Sequence, residues 1–360
     1  MQTNVLTNNF MTLQAKIQSL VQLGAAFSRI LNETASTDSL TSAEKNVQQW
    51  LSRAVHHNGW YTEEMLRFCL QGWSENFTVE KLEHWLTKYA ITENQSPKRI
   101  GLILAGNVPL VGFHDILCVW LSGNHALIKR SSSDQQLTTA VVQLLESITP
   151  DFANAYTFVE EKLTDFDAVI ATGSDNSARY FEYYFRNKPN IIRKNRNGIA
   201  VLSGEETAED LAGLATDIFT YFGLGCRNVS KIYLPQKYDM AHFYQGIYHR
   251  SDVLQLEKYC NNYDYNKAVF MMSNRQIYDN GFLILVEDES FSSPIAAVFY
   301  EFYTDLSELQ SQLNAKADQI QCLVSNLPLS GAIPFGTTQK PELWDYADGI
   351  DTIEFLLKID

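Results

Sequence analysis

Basic residues are in short supply. Lysine and arginine together number 28 against 42 aspartates and glutamates, a formal net charge of −14. No basic arm interrupts that surplus, so a nucleic-acid partner is not expected. Cysteine is sparse too: Cys69, Cys118, Cys226, Cys260 and Cys322 are odd in number and widely spaced, with no C-x-x-C pair. That pattern argues against a disulfide framework and a structural zinc site, and for a reducing compartment. Metal-ligand spacings are missing elsewhere as well. Apolar stretches all fall short of roughly 18 residues, so no membrane span is expected. The opening "MQTNVLTNNFMTLQAKIQSL" lacks a basic start followed by an apolar block. The expectation is a cytoplasmic protein without a secretory leader.

What is present is an ordinary globular balance, 45% hydrophobic and 19% charged over 360 residues, enough for a large core and two domains. Residues from about 10 to 93 read as helices. Leu13, Ile17, Leu20, Val21 and Leu23 recur at near-helical spacing, as do Val47, Trp50, Leu51 and Val55. "SLTSAEKN" carries a capping-box start, Thr41 three residues ahead of Glu44. At Arg99 the texture changes. "RIGLILAG", "HALIKRSS" and "FDAVIATG" are short apolar runs with polar ends, each followed by a helix-like stretch. Strand, loop and helix in repetition imply a parallel sheet covered by helices. Ligands of such sheets sit at the carboxyl ends of strands, here Gly106-Asn107, Lys129-Arg130 and Thr172-Gly173-Ser174. "GIAVLSG" reads as a fourth strand before the helix "TAEDLAGLATDIFTYFG". The remainder, with strands near "KIYLP", "GFLILVED", "PIAAVFYEF" and "QCLVSN", reads as a second α/β domain. The expected division is 1–200 for the helices and first α/β domain, to which the chain returns at about 328–360, and 201–327 for the second.

"YFGLGCRNVSKIYLP" places Cys226 between a Gly-Leu-Gly bend and a strand-like run. Gly225 before it and Arg227 and Asn228 after it would expose the thiol and admit close backbone approach. A reactive thiol and a plain turn both look like this.

The motif order "AGNVPLVGFHDI", "ALIKRSSS", "ATGSDNSARYF", "GIAVLSGEETAEDLA", "FGLGCRNVSKIYLP" and "DESFSSPIAAVFYE" resembles the aldehyde dehydrogenase superfamily over about residues 98 to 340. Within it, the chain is similar to the LuxC-like acyl-CoA reductases, which make fatty aldehydes from acyl thioesters. The resemblance implies an α/β fold with a Rossmann-type cofactor domain and a second catalytic α/β domain, preceded by the N-terminal helices. It places Cys226 at the nucleophile position, where a thiolate attacks a thioester readily. Asn107 matches the oxyanion-hole asparagine, a donor typically worth roughly 3–4 kcal/mol in the transition state. Lys129 matches the lysine that contacts the cofactor ribose. Three residues on, NAD-preferring members often carry an acid; here Ser132 stands, beside Arg130, which favours a 2′-phosphate and hence NADPH over NADH. Thr172, Gly173 and Ser174 match the loop that opens a helix under the cofactor pyrophosphate. Glu289, in "DESFSSP", aligns with the glutamate that grips the nicotinamide ribose, although Pro294 comes one residue late and a glycine is missing. No carboxylate lies between Asn190 and Val201, where hydrolytic relatives keep a general base. The basic cluster Arg186, Lys188, Arg193, Lys194 and Arg196 is a candidate for the phosphates of coenzyme A or the dinucleotide, and equally a solvated face. His114 and His125 fall near the expected rim.

The implied reaction is NADPH-dependent reduction of an acyl-CoA to an aldehyde through an S-acyl cysteine. Two readings stay open beside it: a cysteine-dependent acyltransferase or thioesterase, and a non-catalytic binding relative. Homo-oligomerisation is left open.

Overall fold

The computed structural model describes residues 11–32, 39–92, 96–173 and 175–359. It divides into two compact units. The first comprises residues 1–57, 62–193 and 350–360, and the second 58–61 and 194–349.

The first unit opens with helices α1 (Leu13–Leu31), α2 (Ser42–His57), α3 (Glu63–Asn76) and α4 (Val79–Leu86). Each begins on a threonine. Thr12, Thr62 and Thr78 accept from the backbone N–H three residues on. Thr41 and Glu44 form the reciprocal pair read from the sequence, at 2.7 and 3.2 Å. Such caps are each worth about 1 kcal/mol. Then β1 (Arg99–Ile103), α5 (Phe113–Leu121), β2 (His125–Lys129), α6 (Gln135–Ile148), β3 (Tyr156–Phe158), β4 (Ala168–Thr172), α7 (Asp175–Phe185) and β5 (Asn190–Arg193) alternate. The strands form an all-parallel sheet of order β3-β2-β1-β4-β5. Ile100, Leu102, Ala126, Ile128, Val169 and Ile170 are buried, as strands covered on both faces require. The order reverses between β1 and β4, which makes the loops after these strands a natural ligand crevice.

The second unit contains β6 (Asn197–Val201), α8 (Ala208–Phe219), β7 (Val229–Pro235), α9 (Met240–Ile247), α10 (Glu257–Met272), β8 (Ile277–Asp279), β9 (Ile284–Glu287), β10 (Ala297–Tyr303), α11 (Leu306–Ala315), β11 (Ile320–Val324) and β12 (Ala332–Ile333). Its sheet runs β12-β11-β6-β7-β10-β9-β8, parallel except for the β8–β9 pair. Alternation along β6 splits the core in two. Ala200 and Leu202 pack with Leu214 and Phe243 of α8 and α9, while Ile199 and Val201 pack with Leu309 and Leu313 of α11.

The strand over 197–201, placed before the domain boundary by the sequence reading, pairs with β7 and β11 in the second sheet. The units therefore part at 193/194. The chain rejoins the first unit at 350 rather than 328, because β11 and β12 still pair with each other and with β6. What returns is the helix Thr352–Leu357, which lies against α5. No helix among the described residues is long and apolar enough to cross a membrane.

Candidate active site

Seven of the residues singled out in the sequence share one rim of the first unit. Asn107 is exposed in the loop after β1, next to buried Gly106. A Cβ on Gly106 would meet the hydroxyl oxygens of Ser131 and Ser133 at 2.5 Å, so the β1 and β2 loops are packed together there. Lys129 ends β2 and its Nζ donates to the Glu161 carbonyl at 2.6 Å. Ser132 is exposed. Thr172 and Gly173 lead from β4 to α7, and a Cβ on Gly173 would lie 2.8 Å from that of Ser177. Ser174 lies outside the described residues.

Two acids that the sequence reading passed over govern this rim. Glu160 forms an ion pair with Arg130, which also donates to the Thr139 hydroxyl and lies 4.1 Å from the Phe158 ring centre. Arg130 is therefore engaged by a carboxylate supplied from beyond β3, not by one at position 132. Asp134, buried, accepts from the Leu110 N–H at 3.0 Å and the Thr138 hydroxyl at 2.9 Å. That bond holds the Asn107 loop, in which Leu110 takes a φ of 54°. Burial pushes the Asp134 carboxyl up to about 7. Its second oxygen has no hydrogen-bond partner among the described residues.

In the second unit, Cys226 is half-buried in the loop between α8 and β7. Before that loop the backbone is left-handed for three residues running: Tyr221 (φ 56°), Phe222 (55°) and Gly223 (77°). Non-glycine residues meet a cost of about 1–2 kcal/mol each in this conformation. Packing compensates, since the Phe222 ring sits 6.1 Å from that of Trp60 and 6.2 Å from that of Tyr259. After the cysteine, Arg227 is held from two sides. Its Nε donates to the Thr338 carbonyl, and its own carbonyl accepts from the Cys322 thiol at 3.6 Å. Gly198 on β6 makes room for this passage, because a Cβ there would strike the Arg227 and Asn228 carbonyl oxygens at 2.8 and 2.6 Å. Asp217, on α8, accepts from the Gly336 and Thr338 N–H groups and the Thr338 hydroxyl, and burial raises its carboxyl above the usual range. Burial also pushes the Cys322 thiol up to about 12 and the Cys118 thiol well above its ordinary value.

Glu289 is exposed in the loop after β9. That loop is fastened to β7: Lys231 Nζ donates to the Asp288 carbonyl, and the Ser230 hydroxyl to the Phe291 carbonyl at 2.7 Å. Lys231 itself is fully buried and paired with Glu301 at 2.7 Å. The Cys226 loop and the Glu289 loop thus both anchor on the first residues of β7.

The basic cluster does not survive as a group. Arg193 is buried and makes a two-pronged ion pair with Asp115, with Thr352 Oγ1 at 3.3 Å. Arg196 faces Asp348 at 3.6 Å, and Arg186 lies over the Tyr183 ring. Of the two histidines, one lies away from the rim and the other is taken up in packing. His125 begins β2, at the end of the sheet opposite the rim, bonded to the Asn154 carbonyl and the Thr157 hydroxyl. His114 stacks on Trp85 inside the helical layer. The reading of His125 relied on distance along the chain, which does not distinguish the two ends of a strand.

A family model for acyl-CoA reductases of the LuxC type matches residues 55–249, more than half of the chain and inclusive of Asn107, Lys129, Thr172 and Cys226. This chain belongs to the LuxC acyl-CoA reductase family. Among its LuxC relatives, it is 27% identical over 172 residues to the long-chain acyl-protein thioester reductase of Aliivibrio fischeri, 43% of this chain and 36% of that protein. With the Vibrio harveyi protein of the same description it shares 25% over 227 residues, 58% of this chain and 47% of that one. The matches thus span less than half of either relative. In fold it is similar to aldehyde dehydrogenase 21 from Physcomitrella patens, with a TM-score of 0.65, 10% identity, and coverage of 96% of this chain and 88% of that one. At that identity the likeness speaks for the fold alone. The LuxC chain described here is thus built on the aldehyde dehydrogenase architecture.

Proposed function

We propose that this chain reduces an acyl-CoA thioester to the aldehyde through an S-acyl intermediate on Cys226. The observation that carries the reading is the cysteine's place: inside the family match, between a strained left-handed turn and an arginine held from two sides. Strain of this kind gathers where a reacting group must be held. The Cys226 thiolate adds to the thioester carbonyl, the carbon–sulfur bond to coenzyme A breaks, and the coenzyme leaves as its thiol after taking a proton. Asn107 is assigned as the amide donor to the carbonyl oxygen as it gains charge.

The first unit suits a nicotinamide dinucleotide. Gly106 and Gly173 keep backbone accessible where side chains would intrude, the β1/β4 reversal opens a crevice, and Thr172-Gly173 lead into the N-terminus of α7. Lys129, Thr172 and Gly173 would hold the cofactor, with Ser174 assigned to the same loop and Glu289 to the nicotinamide ribose. When bound, the reduced nicotinamide supplies the hydride that reduces the acyl carbon. Ser132 leaves room for a 2′-phosphate, so NADPH is the proposed form, with Arg130 as its counter-charge. Acyl-CoA is the proposed substrate because Cys226 needs a thioester that releases a good leaving group.

The test withholds the hydride. Without a carboxylate between Asn190 and Val201 to activate water, the acyl-enzyme should persist. Mixing enzyme with acyl-CoA alone should release about one equivalent of coenzyme A per Cys226 and then stall, as covalent catalysis predicts. NADPH should discharge the stalled thioester as aldehyde, and Cys226→Ala should abolish both phases. Steady release of free acid without NADPH would support a thioesterase and discard this reading.

A further inference from the structure

We infer that Asn228 is the positioning residue for the Cys226 thiol. This rests on Cys226 being the nucleophile proposed above. Asn228 is buried at 3% exposure, two residues after the cysteine, and its amide faces both ways. Nδ2 donates to the carbonyls of Asp217, Ile218 and Thr220, at 3.0, 3.2 and 2.6 Å, where α8 ends. Oδ1 accepts at 2.9 Å from the N–H of Gly225, the residue just ahead of the cysteine. One side chain therefore satisfies the open end of α8 and fixes the chain on the near side of Cys226. Between those anchor points lies the left-handed turn Tyr221–Gly223. A turn of that kind keeps its shape only where its two ends are held at a set distance.

The chemistry is specific to an amide. Two N–H protons serve three carbonyl oxygens, while one oxygen accepts the Gly225 N–H. Aspartate keeps the shape and the acceptor but loses both donors. Ionised, it would set a carboxylate against three carbonyl oxygens and close to the thiol. A negative charge beside a thiol disfavours the thiolate.

The experiment uses the full chain with Asn228→Asp and Asn228→Ser, read in three ways. These are kcat and KM with acyl-CoA and NADPH, the pH profile of Cys226 alkylation by iodoacetamide located by mass spectrometry, and thermal unfolding. A misplacement of the order of 1 Å costs about 100-fold in rate, so kcat should fall by about that factor in both variants with KM within a few-fold. In Asn228→Asp the alkylation midpoint should also move to higher pH. If the aspartate variant does not fold, the serine variant, which retains one donor, carries the kcat test. Thr207→Ala is the control, since it removes the cap at the other end of α8 without touching Gly225 or Arg227. Variants with wild-type kcat and alkylation profile would overturn the inference, as would an equal effect from Thr207→Ala. Failure of the underlying reading shows differently: Cys226→Ala would then keep its activity whatever the Asn228 variants do.

Discussion

Arg130 already holds a carboxylate, and that fact decides how it can serve a cofactor. A 2′-phosphate reaching its guanidinium must compete with Glu160, which is about two-thirds exposed while the arginine is largely covered. Hydrogen bonds to charged groups contribute roughly 1.5–3 kcal/mol, and exposure of one partner takes the pair toward about 1 kcal/mol. Glu160→Gln should therefore raise the ratio of kcat/KM for NADPH over NADH about fivefold. Steady-state kinetics with both cofactors measures it, and an unchanged ratio would place the 2′ position away from Arg130. The sequence could name Arg130 and Ser132 because both lie within three residues of the strand end. It could not name Glu160, since only the β2–β3 pairing brings that residue alongside. Asn228 escaped for a different reason: an asparagine after a turn is commonplace, and the carbonyls it serves lie eight to eleven residues earlier.

At the scale of elements, β1, β2 and β4 were legible because strands buried on both faces read as unbroken apolar runs. The edge strands Tyr156–Phe158 and Asn190–Arg193 were not: they are three and four residues long and only partly buried. Helix α10 hid behind its composition, since Tyr, Asn and Lys are spread around it without a clean apolar stripe. Arg193 shows what is lost when a short strand goes unread. Seen as part of a basic run it resembled a phosphate ligand; seen as the last residue of β5 it is a clasp. It joins that strand to Asp115 on α5 and to Thr352 on the returning helix. Breaking a buried pair from one side typically costs 3–5 kcal/mol, because a charge is left uncompensated. Arg193→Met should destabilise the chain by about that amount in urea unfolding, and Asp115→Leu added to it should restore much of the loss. Arg186→Ala, on the exposed end of the same cluster, should change stability by no more than about 0.5 kcal/mol. A stable Arg193→Met with weakened coenzyme A binding would return the residue to its first reading.

For the molecule as a whole, the sequence reading found two α/β domains but divided them seven residues late, because a strand's apolar run does not say which sheet it joins. The same indifference to partners conceals a pH dependence. Asp134 is held near 7 by burial, against an ordinary value of about 4. Between those values the folded chain keeps a proton that the unfolded chain has released. Stability therefore falls as pH rises across that window, and the contribution is complete below about pH 4 and gone above about pH 7. The magnitude is at most about 4 kcal/mol. Asp134→Asn retains acceptors for the Leu110 N–H and the Thr138 hydroxyl but cannot ionise. Its stability should be the less pH-dependent of the two, so the wild-type-minus-variant difference should drop steadily from pH 5 to pH 7.5. Taking the difference cancels the many other carboxylates of this acidic chain. Urea unfolding at half-unit steps, followed through the transition of the first unit, supplies the measurement. Hydrogen exchange at the Leu110 amide provides a local check, because that N–H donates to Asp134 and reports the opening of the Asn107 loop itself. A difference that stays flat from pH 5 to pH 8 would show that Asp134 titrates at its ordinary value, and that the loop carrying Asn107 is held independently of pH.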